Sequence, residues 1–301
     1  MTTFAAAHPL RRWLDGKALP ILIIVVAILV FWYAAAVWMN WRTTVDRLER
    51  AGTAATTIQT MGETWSAKRP LLPAPHQIVA EIWKTTVDVK PTSPRSLLFH
   101  SWITLSSTLA GFVIGTALGV ALAVGIVHSR TLDKSLMPWI ITSQTIPILA
   151  IAPMVIVVLN AVGIQGLFPK AVISTYLSFF PVAVGMVKGL RSPDAMHLDL
   201  MRTYSASGSQ VLAKLRTPAS LPYLFASMKI AVAAALVGAI VGELPTGAVA
   251  GLGARLLAGS YYGQTIQIWS ALVMAAAMAA ALVGLVSIGE SVILKRMGVR
   301  R

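Results

Sequence analysis

The sequence predicts an all-α membrane protein with about six transmembrane helices. Hydrophobic residues make up 56% of its 301 residues, and charged residues make up only 12%. That is about half the charged share of a soluble domain. The apolar residues are gathered into runs that approach or exceed the roughly 20 helical residues needed to cross a bilayer. We therefore expect much of the surface to face lipid.

Six apolar runs define the expected spans. They are residues 19–38, 102–127, 136–160, 171–187, 224–241 and 266–294. The third run contains prolines 138, 147 and 153, the fifth contains Lys229, and the sixth contains Glu290. The first run follows a basic stretch, as in a signal peptide, but its apolar part exceeds the usual length of about 7–15 residues. We therefore interpret it as an uncleaved anchor.

The basic residues predict the orientation of the chain. Cytoplasmic loops of membrane proteins are rich in lysine and arginine. With both ends inside, the parts of the chain on the cytoplasmic side hold 15 of the 25 lysines and arginines, including Arg11, Arg12 and Lys17 before the first run. The two short outer connections contribute only Lys170 and Arg255. The net charge of +14 is thus explained by topology. The sequence has no basic patch interleaved with aromatic residues, which is the pattern that would suggest nucleic-acid binding.

The resulting organisation is a multi-pass protein of the inner (plasma) membrane with both ends cytoplasmic. We expect a cytoplasmic tail at 1–18, the first transmembrane helix at 19–38 and a periplasmic loop at 39–96. A core of five helices at 97–294 and a cytoplasmic tail at 295–301 complete the chain. Within the outer loop, residues 75–87 predict a helix that lies against the membrane or the bundle, or else serves as a solvated spacer.

Glycines in the second run indicate close helix packing. Gly111, Gly115 and Gly119 form two overlapping GxxxG patterns, which place all three on one helix face and allow another backbone to approach. The alternative reading is the general enrichment of small residues in membrane helices. Neither reading identifies a transported solute.

Polar residues inside the spans are candidates for the substrate pathway, because polar groups are costly in a membrane. Ser143, Gln144 and Thr145 lie in the third run, next to Pro147. For Gln144, the alternative is an interhelical hydrogen bond. Glu243 begins the stretch GELPTG, where it could contact substrate or a binding protein, or mark the outer interface.

The sequence contains no recognisable catalytic or cofactor site. It has no cysteine, and its five histidines lack metal-ligand spacing. The phosphate-binding pattern GxxxxGK[ST] is also absent. We therefore expect no catalytic residues, no metal and no cofactor.

The polar stretch 188–222 carries the most specific signal. It reads KGLRSPDAMHLDLMRTYSASGSQVLAKLRTPASLP and is longer than a helix connection needs. It resembles the cytoplasmic loop of ABC-importer permeases, in which Glu-Ala-Ala is followed after three residues by Gly and later by a Leu-Pro-rich end. The similarity is to the branch that imports nitrate, sulfonates, taurine and thiamin-precursor pyrimidines.

Aligned without gaps to the pattern E-A-A-R-T-L-G-A-S-R-W-Q of that branch, Asp199 takes the Glu place and Ser205 the Gly place. The matching residues are Arg202, Thr203, Ala206, Ser207 and Gln210, followed by Pro218, Leu221 and Pro222. Asp199 keeps the carboxylate. Ser205 departs from a residue type that tolerates positive φ, and Gly208 offers an alternative place for the turn. The stretches 72–83, 108–124 and 242–256 also resemble the family, so the similarity covers roughly 72–295.

This resemblance implies a type I ABC importer permease fold and a transport subunit that is not itself an enzyme. It implies an assembly of two permeases, as a homodimer or as a pair with a close paralogue, with two ATPase subunits that bind the ATP and a periplasmic or lipid-anchored binding protein. A short coupling helix in stretch 188–222 would contact the ATPase. The residues carried over to that role are Asp199, Thr203, Ser205, Ala206, Ser207 and Gln210.

The substrate is less closely specified than the family. The stretch GELPTG resembles permeases for thiamin-precursor pyrimidines or similar heteroaromatics, and sulfonate, taurine or nitrate-like anions are the alternative within the family. A different class of function, a stand-alone secondary transporter, would use Glu243 or Glu290 as a proton or ion site. The long polar stretch 188–222 favours the importer, because a stand-alone carrier needs no docking segment there.

Overall fold

The computed structural model describes residues 18–52, 56–245 and 250–298. Every regular element in these ranges is a helix, so the predicted all-α fold class is confirmed. Almost all of the expected tail at 1–18, the residues Thr246 and Gly247 of GELPTG, and the last three residues of the chain lie outside the described residues.

Twelve α-helices follow one another along the described chain, and one turn of π-helix, Leu212–Arg216, lies between α9 and α10. They are α1 (Ala18–Arg50), α2 (Thr57–Trp65), α3 (Pro75–Thr86), α4 (Leu97–His128), α5 (Arg130–Ser143), α6 (Ile148–Ala161), α7 (Leu167–Leu190), α8 (Ala195–Thr203), α9 (Gly208–Val211), α10 (Thr217–Glu243), α11 (Leu252–Tyr261) and α12 (Thr265–Arg296).

Five of the helical stretches are long and apolar enough to span a membrane, or six if the bent pair α5–α6 counts as one span. The five are α1, α4, α7, the continuous stretch Gly208–Glu243 and α12. This agrees with the predicted number of about six. The helices extend beyond the apolar runs. α1 continues to Arg50, where the sequence predicts the membrane helix to end at residue 38, and the fifth stretch begins at Gly208, where the predicted run begins at residue 224.

The third expected span differs from the prediction of one continuous run. α5 and α6 meet at an angle of 99°, and the bend lies at residues 144–147. Pro147 is the N-cap of α6; it lacks an N–H group and disfavours helical geometry at the residue before it. The bend therefore falls where a proline interrupts the helix, whereas Pro138 and Pro153 are accommodated inside α5 and α6.

The described residues form two compact units. The first comprises the chain up to Lys84 and residues Gly259–Ser270. In it, the buried Asn40 of α1 fixes the loop after α2, since its side chain donates to Leu72 O at 2.7 Å and accepts from Leu71 N at 2.6 Å. The predicted helix at 75–87 is α3, in which Ile78 is buried and Trp83 is exposed.

The second unit comprises Thr85–Ala258 and the chain from Ala271 onward. Its core is formed largely by α4, α7 and α10, with residues such as Phe112, Val182 and Ala235 buried among them. The stretch between α7 and α10 and the start of the stretch between α10 and α12 both connect to this three-helix core.

The glycine row of α4 forms the closest contact in this core. A Cβ atom on Gly119 would lie 2.8 Å from both the Phe179 carbonyl oxygen and the Val182 Cβ atom, and one on Gly111 would lie 2.8 Å from the Ala171 carbonyl oxygen. The Ser178 hydroxyl of α7 also donates to Gly111 O at 3.2 Å. The predicted backbone approach is confirmed, and the approaching helix is α7.

Candidate functional site

Residues 188–222, here called the inner segment, run from the end of α7 to the start of α10. Between these two ends, α8 and α9 project from the core. α8 contains no buried residue. α9 begins at a capping box in which the Ser207 hydroxyl accepts from Gln210 N, while Gln210 Oε1 accepts from Ser207 N at 2.9 Å. Thr203 ends α8 and Gln210 lies in α9. The predicted coupling residues thus follow the second half of α8, the turn and the start of α9.

A left-handed turn at Ser205 joins α8 to α9. Its φ is +52°, and no other non-glycine residue among those described has a positive φ. Ser205 N donates to Arg202 O at 2.8 Å and Ala206 N donates to Met201 O at 3.0 Å, the paired bonds of a Schellman cap. Ser205 therefore adopts the conformation that the family's glycine would favour, at a cost of roughly 1–2 kcal/mol. Gly208 does not take over the turn, because it lies in α9.

The base of the inner segment is anchored to the core. Arg191 forms an ion pair with Asp133 of α5 at 2.9 Å, and the Arg216 guanidinium donates to Leu190 O at 3.2 Å. The two bonds lie at the two ends of the projecting part. They join the ends of this part to α5 and to the end of α7.

The exposed side of α8 carries an apolar stripe that sequence reasoning missed. Met196, Leu200 and Tyr204 are 76%, 52% and 77% exposed, and their spacing of four residues places them on one helix face. Asp199 lies beside the stripe, where its carboxylate accepts from Arg202 at 2.8 Å. The four-residue spacing of these residues is visible in the sequence, but the family pattern matches the polar positions beside them and not the stripe.

Ser143, Gln144 and Thr145 lie together at the bend between α5 and α6. The Ser143 hydroxyl donates to Ile140 O at 2.7 Å, and the Gln144 amide donates to the Ser143 hydroxyl at 3.3 Å. The Tyr176 hydroxyl of α7 donates to Ser143 O. These residues thus shape the bend, and the role of Gln144 in a substrate pathway stays a prediction.

Glu243 occupies a different place and does not hydrogen-bond to the three residues at the bend. It is fully buried. The Thr104 hydroxyl lies 3.0 Å from each of its oxygens, Gly253 N donates to one of them at 2.8 Å, and the Lys170 ammonium lies 3.9 Å away. The side chain is enclosed by groups of its own chain, so the structure does not join the four expected pathway residues into one site.

The pattern of spans, the inner segment and the core helices match a known family. The model of the binding-protein-dependent transport system inner membrane component matches residues 115–299, which is more than half of the chain and includes the whole inner segment. The chain belongs to this family. The resemblance to ABC-importer permeases drawn from the sequence is thereby confirmed.

Individual relatives of this permease agree with its place in the family. A probable ABC transporter permease protein of Haemophilus influenzae is 35% identical over 162 residues, covering 54% of this chain and 64% of the relative. The formylaminopyrimidine transport permease ThiX of Halalkalibacterium halodurans is 32% identical, covering 61% and 68%. The riboflavin transport system permease RibX of Chloroflexus aurantiacus is 30% identical, covering 62% and 65%. The permease thus spans about two thirds of the length of these relatives.

A solved structure shares the fold of the permease. A chain from the inward-facing conformations of the MetNI methionine ABC transporter superposes with a TM-score of 0.57 at 20% sequence identity. The match covers 70% of the permease and 100% of that chain. At this identity the likeness concerns the fold, and it agrees with the expected importer permease architecture.

Proposed function

We propose that this permease is the membrane-spanning subunit of an ATP-driven importer and forms the path for a small solute delivered by a binding protein. Family membership supports the proposal. The observation that carries it is the inner segment, an exposed pair of helices anchored at its base between α7 and α10. Such a segment suits a partner that acts on the bundle from one side of the membrane.

The proposed partner at α8 is an ATPase subunit. The exposed Met196, Leu200 and Tyr204 would be covered by it, and full burial of an apolar side chain stabilises by about 1.5–3 kcal/mol. Apolar and aromatic anchors surrounded by polar contacts are typical of interface centres. Closure of an ATPase dimer would then displace α8, and the anchored base would pass that displacement to the core helices.

We propose the rest of the assembly from family membership. Two permease copies, two ATPase subunits that bind the ATP, and a periplasmic or lipid-anchored binding protein would form the importer. The inner segment would face the cytoplasm, as would both ends of the chain. Glu290 is ion-paired with Lys229 at 2.5 Å and Glu243 is enclosed by its own chain. These arrangements favour the importer over a stand-alone transporter that uses either carboxylate as an ion site.

We propose a thiamin-precursor pyrimidine or a similar heteroaromatic compound as the substrate. Two relatives at 30% identity or more are named for formylaminopyrimidine and riboflavin, both of which contain nitrogen heterocycles. An aliphatic sulfonate is the second candidate. A relative from Bacillus subtilis is named for aliphatic sulfonates, but it is only 24% identical.

Leu200→Asp is expected to weaken ATPase association by roughly 2 kcal/mol, or about 30-fold in affinity, because a charge would replace an apolar anchor. Asp199→Ala should also weaken association if that carboxylate meets a basic group of the ATPase. The measurement is the amount of partner ATPase that co-purifies with the permease, together with the amount of permease in the membrane.

Ala195→Asp is the matched control. It adds the same charge to the same exposed helix, at its first residue, where a carboxylate stabilises the helix. Ala195 also lies about 140° around the helix from Leu200. Unchanged ATPase recovery in both Leu200→Asp and Asp199→Ala would mean that α8 is not the docking element.

A further inference from the structure

The N-terminus of α11 is held by three side chains from two other helices. The successive backbone amides of residues 251–253 donate to His100 Nδ1 at 3.0 Å, to Thr104 Oγ1 at 2.9 Å and to Glu243 Oε2 at 2.8 Å. The first amides of a helix have no partner within the helix. An unsatisfied buried amide costs about 1–3 kcal/mol, so His100, Thr104 and Glu243, here called the polar clamp, satisfy groups that would otherwise oppose burial of this end.

The members of the polar clamp also hold one another in place. The Thr104 hydroxyl lies 3.0 Å from both oxygens of Glu243, and it accepts from the amide of residue 252 at the same time. His100 Nδ1 accepts an amide proton, while His100 Nε2 lies 2.9 Å from Pro94 O. This pair of bonds assigns the proton to Nε2. All three clamp side chains are buried, so each has one arrangement that satisfies its neighbours.

Glycines allow the backbone to approach the polar clamp. Gly251 has a φ of +128°, and a Cβ atom there would collide with the Glu243 carboxyl group. A Cβ atom on Gly253 would lie 2.8 Å from the Glu243 Cβ atom and would also collide with the Ile240 carbonyl oxygen. Lys170 of α7 adds a further link, because its ammonium donates to Ala250 O at 3.4 Å. The outer end of α10 is thus bound to α4, to α7 and to the start of α11.

We propose that His100, Thr104 and Glu243 are positioning residues that fix α11 to α4 and α10, so that α11 moves with the core when the bundle changes conformation. This inference rests on the proposed importer function, and it assigns Glu243 to the clamp and not to substrate contact. α11 lies in the connection between α10 and α12. A loosened clamp would let the start of α11 move independently of the core, and ATP hydrolysis would then be less tightly coupled to transport.

Thr104→Val tests the clamp in the assembled importer, because valine has nearly the shape of threonine but lacks the hydroxyl that joins Glu243 to residue 252. We expect a severalfold loss of solute imported per ATP hydrolysed, with hydrolysis less dependent on loaded binding protein. Thr104→Ser keeps the hydroxyl and should restore coupling. Thr108→Val is the matched control, since Thr108 is also fully buried in α4 but its hydroxyl donates only within the helix, to Thr104 O at 2.7 Å.

A labelling measurement on the permease alone separates the clamp from the importer function. The chain has no cysteine, so Ala254→Cys in α11, at a position only 8% exposed, gives a single thiol. We expect a water-soluble thiol reagent to label this cysteine faster in the Thr104→Val background than with Thr104→Ser or Thr108→Val. The exposed position 260, as Ser260→Cys, should label equally in all backgrounds.

Equal labelling at position 254 in every background would overturn the clamp, whatever the outcome of transport assays. Faster labelling combined with unchanged import per ATP would overturn its role in coupling. If transport proves not to depend on ATP, the proposed function fails, while the labelling result still stands on its own.

Discussion

Gly115→Leu is expected to prevent stable packing of the permease core. A Cβ atom on Gly115 would collide with the Ser178 side chain and lie 3.1 Å from the Phe179 amide nitrogen of α7. The backbone of α7 cannot move away at this point without also leaving the flanking contacts at Gly111 and Gly119. Overpacking a well-packed interior costs about 1–3 kcal/mol, and more where the backbone must shift. We expect a cost of at least ~3 kcal/mol.

The measurement is the thermal unfolding midpoint of the detergent-purified permease, with the yield of monodisperse protein as a second readout. Gly284→Leu is the control, because Gly284 lies in the membrane-spanning α12 and a Cβ atom there meets nothing within 4 Å. Gly284→Leu should leave the midpoint nearly unchanged. Equal effects of the two substitutions would show that the α4–α7 contact does not limit stability.

Glu290→Ala is expected to destabilise the permease by roughly 3 kcal/mol, the cost of a charge in a membrane span that has lost its partner. Glu290 is 4% exposed, and its carboxylate pairs with Lys229 near the middle of α10 at 2.5 Å. Removing the carboxylate leaves the Lys229 ammonium, on a side chain that is 27% exposed, without this partner. Breaking one side of a buried pair is therefore more harmful than replacing both sides.

The double variant Lys229→Met/Glu290→Met should recover much of the loss, because it removes both charges and keeps the side-chain volume. Ser291→Ala on the next residue of α12 serves as the control; its exposed hydroxyl donates only to Ile288 O, within the same helix. The readout is again the unfolding midpoint. If the double variant were as unstable as Glu290→Ala, the stabilisation would come from packing at position 290 and not from the ion pair.

The helices and the family were predictable because their signals are local. Long apolar runs specify membrane helices, and the residues around Asp199 and Ser205 carry a pattern contained within one stretch. The GxxxG spacing also predicted a close approach at Gly111, Gly115 and Gly119. It could not name α7 as the partner, because a helix face does not record which other helix will meet it.

The sequence did not predict the bend or the polar clamp, for two different reasons. The sequence placed Pro147 next to the polar residues of the third run but did not predict that the helix would break there. Pro138 and Pro153 are accommodated within helices, and only Pro147 stands at the break. The clamp joins Thr104 to Glu243 and His100 to Gly251, pairs that are 139 and 151 residues apart. No local pattern links such positions, and Glu243 alone was equally compatible with substrate contact.

Import into sealed vesicles is the most direct test of the central claim that the permease forms the path of an ATP-driven importer. The purified permease is reconstituted with its partner ATPase and binding protein, and ATP is supplied on the side of the inner segment. We expect accumulation of a pyrimidine or related heteroaromatic compound against its gradient only when permease, ATPase, loaded binding protein and ATP are all present. Accumulation driven by the permease alone, with an ion gradient and no ATPase, would contradict it.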